Sequence, residues 1–185
     1  MIKSPNKNQG KIMDISKIGH GDNPDAIMAV IEVPLNSNIK YELDKDSGAI
    51  MVDRVLYSAV HYPANYGFVP DTLSDDGDPA DILVLGQSPL QAGSVIKCRL
   101  VGVLITEDEN GGDEKLLAVP TAKIDPTYAQ IKDLGDVPEA TLNRIKNFFE
   151  TYKMLEPNKW VKVTGFENKE KATEILKKAI SSYKK

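Results

Sequence analysis

The sequence is poor in cysteine and histidine and has no long apolar run, and each shortage removes a class of function. Its single cysteine, Cys98, cannot form an internal disulfide. It lies in the apolar run Val95–Leu104, where a buried free thiol is expected. The polar, lysine-rich stretch Met1–Lys17 has neither the apolar segment nor the small-residue cleavage site of a secretory leader. Both features point to a reducing, cytoplasmic setting. The two histidines, His20 and His61, have no spaced partners, so a zinc site and a Cys–His nucleophile are set aside. No window holds the ~18 apolar residues that a membrane span needs. There is no Gly-rich GKS/T loop and no Gly-X-Ser-X-Gly elbow. Aromatic residues make up only 6% and the formal net charge is −4, which argues against nucleic acid as a partner.

What remains is a chain of 185 residues, 41% apolar and 27% charged, sized for one compact domain. Residues 1–25 read as an irregular arm. Strands are expected at Ala26–Val33, Ile39–Leu43, Ile50–Leu56, Ile82–Leu85, Val95–Leu104, Lys115–Val119 and Trp160–Thr164. Turn chemistry at Lys45-Asp46-Ser47-Gly48 joins the second and third of these as a hairpin. One helix is expected after an Asp136 cap with Pro138 in its first turn, carrying Leu142, Ile145, Phe149 and Tyr152 inward. A second follows an Asn168 cap, with Ala172, Ile175, Ala179 and Tyr183. The class is mainly β with helices, a closed or partly closed barrel with flanking helices.

The chemistry concentrates in an acidic segment. Asp75, Asp76, Asp78 and Asp81 precede the apolar strand Ile82–Leu85 directly. Gly77 permits a sharp turn, and Pro79 stiffens it. Asp76 and Asp78 lie at most ~7 Å apart along the chain, so their charges repel unless a cation or proton intervenes. Magnesium, a hard cation with oxygen ligands, suits such a loop. A solvated turn has the same composition. An EF-hand is excluded, because its sixth and twelfth positions, counted from Asp76, hold Asp81 and Gln87. A second acidic stretch, Thr106–Glu114, reads by itself as a surface hairpin with an Asn110-Gly111 turn. Paired with the first, it can hold two metals ~3.5–4 Å apart, the arrangement used in phosphoryl hydrolysis.

Basic and phenolic residues surround these loops in sequence. Lys40 and Glu42 share one face of a strand, and Arg54 lies on its partner. They read either as a surface salt bridge or as a cationic rim for phosphate, which Arg can clamp bidentately. Lys115 follows the second acidic stretch directly. Tyr62 and Tyr66 flank Pro63 in a rigid segment. Their phenols can donate to phosphate, although packing is the commoner fate of tyrosine.

Asp76-Gly77-Asp78-Pro79-Ala80-Asp81-Ile82-Leu83-Val84 resembles the D-G-D-P-x-D-[V/I]-L-V signature of family I soluble inorganic pyrophosphatases, bacterial type. Val30–Pro34, Ile39–Glu42, Val52-Asp53-Arg54, Tyr62–Gly67, Val101–Leu104, Phe148–Lys153 and Lys159–Val163 match in family order. The resemblance implies one domain over residues 1–185, built on an OB-like five-stranded β-barrel with flanking α-helices. It implies hydrolysis of inorganic diphosphate to two phosphates with several Mg2+ ions. By position, Asp76, Asp81 and Asp113 match ligands of the first metal, with Asp81 bridging to a second. Asp108 with Asp113, and Glu32, match further metal positions, and Asp78 is counted with the metal residues too. Asp78 matches the carboxylate that orients and deprotonates the attacking water, and Tyr66 is placed beside it as catalytic. Lys40, Arg54, Lys115, Tyr152 and Lys153 match phosphate-binding groups, and Glu42, Tyr62 and Tyr66 support the same cavity. A homo-oligomer, a hexamer by resemblance, is expected. The competing reading is an OB-type binding module with a structural cation site.

Overall fold

Apolar side chains at nearly every position of Ala26–Val33 suit a strand covered on both faces, and that strand is the hub of the fold. The computed structural model describes residues 15–109 and 111–183. Its strands and helices, in chain order, are β1 (Gly21–Asp22), β2 (Ala26–Val33), β3 (Ile39–Leu43), β4 (Ile50–Val55), β5 (Asn65–Phe68), β6 (Asp81–Val84), β7 (Val95–Asp108), β8 (Gly111–Gly112), β9 (Lys115–Pro120), α1 (Glu139–Thr151), β10 (Val161–Glu167) and α2 (Lys169–Ser182). Strand β2 pairs with β5 on one side, Ile31 opposite Gly67, and with β7 on the other, Ile27 opposite Cys98. Antiparallel β5–β6, parallel β6–β9 and antiparallel β9–β7 complete a ring. Five strands therefore close on themselves, as the OB-like expectation requires, and β1, β8 and β10 extend the sheet. The β3–β4 hairpin forms a separate two-stranded sheet.

The alternation of side chains along the strands builds two cores. Ile82 and Val84 join Leu116, Cys98 and Leu100 in a cluster capped by Ala172, Leu176 and Ala179 of α2. Leu83 and Leu85 face the other way, with Leu117, Val119 and the α1 residues Ile145, Phe148 and Phe149. Asn168 caps α2 as expected, accepting from the Lys171 amide at 3.1 Å. Within α2, Leu176 rather than Ile175 is fully buried, and Tyr183 is exposed at the end.

Several expectations change. Helix α1 is preceded by Pro138, and Asp136 does not cap it. The Asp136 carboxylate instead accepts from the amides of Lys132 and Asp133 and closes a 3-10 turn at Leu134–Asp136. Strand β7 runs to Asp108, past the expected end at Leu104, because Thr106, Glu107 and Asp108 pair with β10. Asn110 of the expected turn lies outside the described residues. So does the arm before Ile15; from there on, a 3-10 turn and the β1–β2 pairing give it regular structure. Strand β5 was not expected. It is short and holds no β-branched residue. Asn65 earns its buried place by accepting from the amides of Leu35 and Leu90 and donating to the Ser88 carbonyl.

Candidate functional site

Every site residue named from the sequence lines one cleft of about 1320 Å³. Strand β2 contributes Glu32, and the β3–β4 hairpin contributes Lys40, Glu42 and Arg54. Tyr62 and Tyr66 come from β5 and the segment before it. Asp76 and Asp78 sit on the loop that leads to Asp81, the first residue of β6. Asp108 ends β7, Asp113 follows β8, and Lys115 opens β9. Tyr152 and Lys153 follow the last turn of α1.

The acidic loop is held by its own backbone. Gly77 adopts φ +91°, a conformation that costs other residues strain. The Asp78 amide donates to Asp76 Oδ1 at 3.0 Å, and the Ser74 amide donates to the Asp78 carbonyl at 2.8 Å. Thr72, buried below, accepts from the Ala80 amide at 2.9 Å. The loop thereby presents Asp78 outward, with its side chain 72% exposed, while Asp81 and Asp113 turn toward Lys115.

Lys115 is 3% exposed and hydrogen-bonded to both Asp81 and Asp113. Burial opposes its charge, but the two carboxylates outweigh it and hold the ammonium above its ordinary range. Lys153 donates to Asp108 at 2.9 Å. Lys40 pairs with Glu42 and lies 3.6 Å from Asp53. Burial drives Tyr62, Tyr66 and Tyr152 well above the ordinary phenol range, so all three are hydrogen-bond donors at neutral pH. Tyr66 packs on Tyr62, Tyr62 on Phe148, and Tyr152 on both Phe148 and Phe149, stacking on Phe148 at 5.0 Å between centroids. Packing and a place on the cleft wall are therefore the same arrangement.

The acidic residues fit a hard cation. Burial raises Glu32 to about 7, partly offset by the Leu43 amide at 2.8 Å. Burial likewise raises Asp76 and Asp113. Desolvated carboxylates of this kind favour a nearby positive charge. Asp76, Asp81 and Asp113 also border a notch of about 10 Å³, roughly the room one water-sized body needs. Among the described residues, no three His, Cys, Asp or Glu side chains already converge on one point. The Lys115 ammonium lies between two of the candidates.

The profile of the inorganic pyrophosphatase family matches residues 29–184. The chain belongs to that family. It is 68% identical to the inorganic pyrophosphatase of Campylobacter jejuni over 172 residues, covering 93% of this chain and all of that one. It is 62% identical to a Helicobacter pylori inorganic pyrophosphatase over 171 residues, covering 92% and 99%. The solved H. pylori inorganic pyrophosphatase superposes with a TM-score of 0.87 at 63% identity, covering 90% of this chain and 97% of that one. The Thermus thermophilus inorganic pyrophosphatase gives 0.88 at 48%, covering 94% and 100%.

In this pyrophosphatase, other charged residues stand in or beside the site, Glu109 from the second acidic stretch and Lys159 from a matched segment, whereas Lys45 and Glu156 carry no sequence signal for it. Lys45, in the hairpin turn, lies 2.9 Å from Asp78. Glu109 pairs with Lys159 and lies 3.9 Å from Lys153. Glu156 accepts from Arg54. The turn composition of Lys45-Asp46-Ser47-Gly48 marks a bend and nothing more; the other contacts span distant stretches of chain.

Proposed function

We propose that the chain hydrolyses inorganic diphosphate to two phosphates by a metal-activated water, without a covalent intermediate. One observation carries the reading: the acidic group Asp76, Asp81 and Asp113 shares a cleft with Lys115, Tyr152, Lys153 and Arg54. Glu32, Asp76, Asp81, Asp108 and Asp113 are the residues that would hold the cations, Mg2+ by resemblance. Bound there, divalent ions supply neutralisation of phosphate oxygens and acidification of water.

The side chains divide the remaining work. Asp78 is the exposed carboxylate of the loop and accepts the proton of the attacking water, with Tyr66 lending a phenol to the same region. Lys115 and Lys153, both nearly buried, and the Tyr152 hydroxyl take up charge on the leaving phosphate. Arg54 and Lys40 bind oxygens on the hairpin side, with Glu42 and Tyr62 supporting them. An acidic chain thereby attracts an anion through local cations. The competing reading, a binding module with a structural cation, is disfavoured by the match to inorganic pyrophosphatases along nearly the whole chain.

We also read residues 1–185 as one domain, the setting as cytoplasmic and the assembly as a homo-oligomer, a hexamer by resemblance. Exposed Val52, Val55, Met154 and Leu155 supply apolar surface for copies to share. The test of function is phosphate release from diphosphate and from ATP, with Mg2+ and with chelator. Mg2+-dependent release from diphosphate is expected. No such release would overturn the proposal.

A further inference from the structure

Arg54 and Lys153 stand on parts of the fold that share no sheet. Arg54 belongs to the β3–β4 hairpin, outside the barrel, and Lys153 follows α1. A phosphate gripped by both needs their separation fixed, because a small error in placement costs binding steeply. The connection runs through Glu156. Its side chain, 9% exposed, accepts from Arg54 Nε at 3.0 Å across 102 residues. Its amide donates to the Lys153 carbonyl at 2.9 Å. Ser58 adds a weaker tie on the same seam, its hydroxyl within reach of the Thr151 and Tyr152 carbonyls at 3.2 and 3.3 Å. Arg54 Nη1 is engaged by Asp53, and among the described residues Nη2 makes no hydrogen bond. Glu156 does not itself line the cleft.

We propose that Glu156 is a positioning residue for the hydrolysis of diphosphate: it aims the Arg54 guanidinium at the substrate and ties the hairpin to the Lys153 segment. The proposal rests on the function argued above. Bonding at Nε orients the plane of the guanidinium and leaves Nη2 for a phosphate oxygen. Charge and position predict opposite outcomes here. Removing a negative charge beside an anion site strengthens anion binding if only the field matters. It weakens binding if Glu156 holds Arg54 in place.

The experiment compares KM and kcat for diphosphate, and inhibition by inorganic phosphate, in wild type, Glu156→Ala, Glu156→Gln, Arg54→Ala and the double variant Arg54→Ala/Glu156→Ala. Glu156→Ala is expected to raise KM about tenfold, the scale of a lost hydrogen bond to a charged group, with a smaller change in kcat. Glu156→Gln keeps an acceptor for Nε and should fall between. In the Arg54→Ala background the Glu156 change should add less than about twofold, because coupled residues are not additive. An unchanged or lower KM, or an equal penalty in both backgrounds, overturns the proposal. If Glu156→Ala does not fold, Glu156→Gln decides the same question. A wild type that releases no phosphate defeats the functional reading, and this proposal with it. An active wild type with unaffected Glu156 variants defeats this proposal alone.

Discussion

Lys45 Nζ stands 2.9 Å from Asp78 Oδ1, so the turn of the β3–β4 hairpin reaches the acidic loop. Both side chains are exposed, 64% and 72%, and such a pair adds little stability. The Asp78 side chain thus carries little structural duty. Asp78→Asn should leave the melting temperature nearly unchanged while lowering kcat by about 10²–10⁴ at saturating Mg2+, the loss expected for a general base. Near-normal turnover in the asparagine variant would remove Asp78 from that role.

Gly67 presents a purely steric prediction. A Cβ added there would lie 1.8 Å from the Val30 carbonyl oxygen, in the β2–β5 pairing. Backbone must move to admit it. Gly67→Ala should cost ~3 kcal/mol, the upper part of the usual overpacking range, and lower Tm by roughly 6–12 °C for a chain this size. Thermal unfolding followed by circular dichroism measures it. A Tm within a degree of wild type would show that the two strands separate more easily than their pairing implies.

Cys98 is fully buried beside Ile27, and burial alone pushes its thiol far above the ordinary range. Attack by thiol reagents requires the thiolate, so alkylation of the native protein at pH 8 should proceed only through opened or unfolded molecules, no faster than unfolding itself. The same shift links stability to pH. The folded pKa is raised, so the contribution is complete below the unfolded value of ~8.5 and is lost as pH rises beyond it. Between pH 8.5 and 10 the wild type should lose stability more steeply than Cys98→Val, approaching ~1.4 kcal/mol per pH unit. Urea unfolding under reducing conditions gives both curves, and parallel curves would contradict the assignment.

The fold is legible in the sequence where the determining residues lie close together in the chain. Asp76 to Asp81 declare a loop by Gly77 and Pro79 and a strand by Ile82 to Val84, and both occur in the fold. Asn168 declares a cap by its position before an amphipathic run. The failures have long-range causes. Thr106 to Asp108 look like loop because they are polar, but β10 arrives from more than 50 residues away to pair with them. Asn65 and Gly67 look unlike strand residues, and only the approach of β2, with the amides of Leu35 and Leu90, explains their presence. Asp136 was a good cap in the wrong place, since the Lys132 and Asp133 amides claim its carboxylate first. The cleft shows the same division. Its acidic loop and basic residues follow the family order that the sequence displays, whereas the Arg54–Glu156 bond has no local trace.

The closure of β2 onto β7 also bears on how the protein comes into being. Ile27 meets Cys98 71 residues later in the chain, and the ring stays open until β9 has joined β6 and β7. Contacts of such separation are slow to form. Glu32, Asp81, Asp108 and Lys115 ride on four different strands of that ring, so a growing or half-folded chain carries the pieces of the cleft but not the cleft. Ions and diphosphate that need the assembled cleft bind the native state and ignore its precursors. Their binding energy then accrues entirely to the finished fold, growing as RT ln(1 + [L]/Kd).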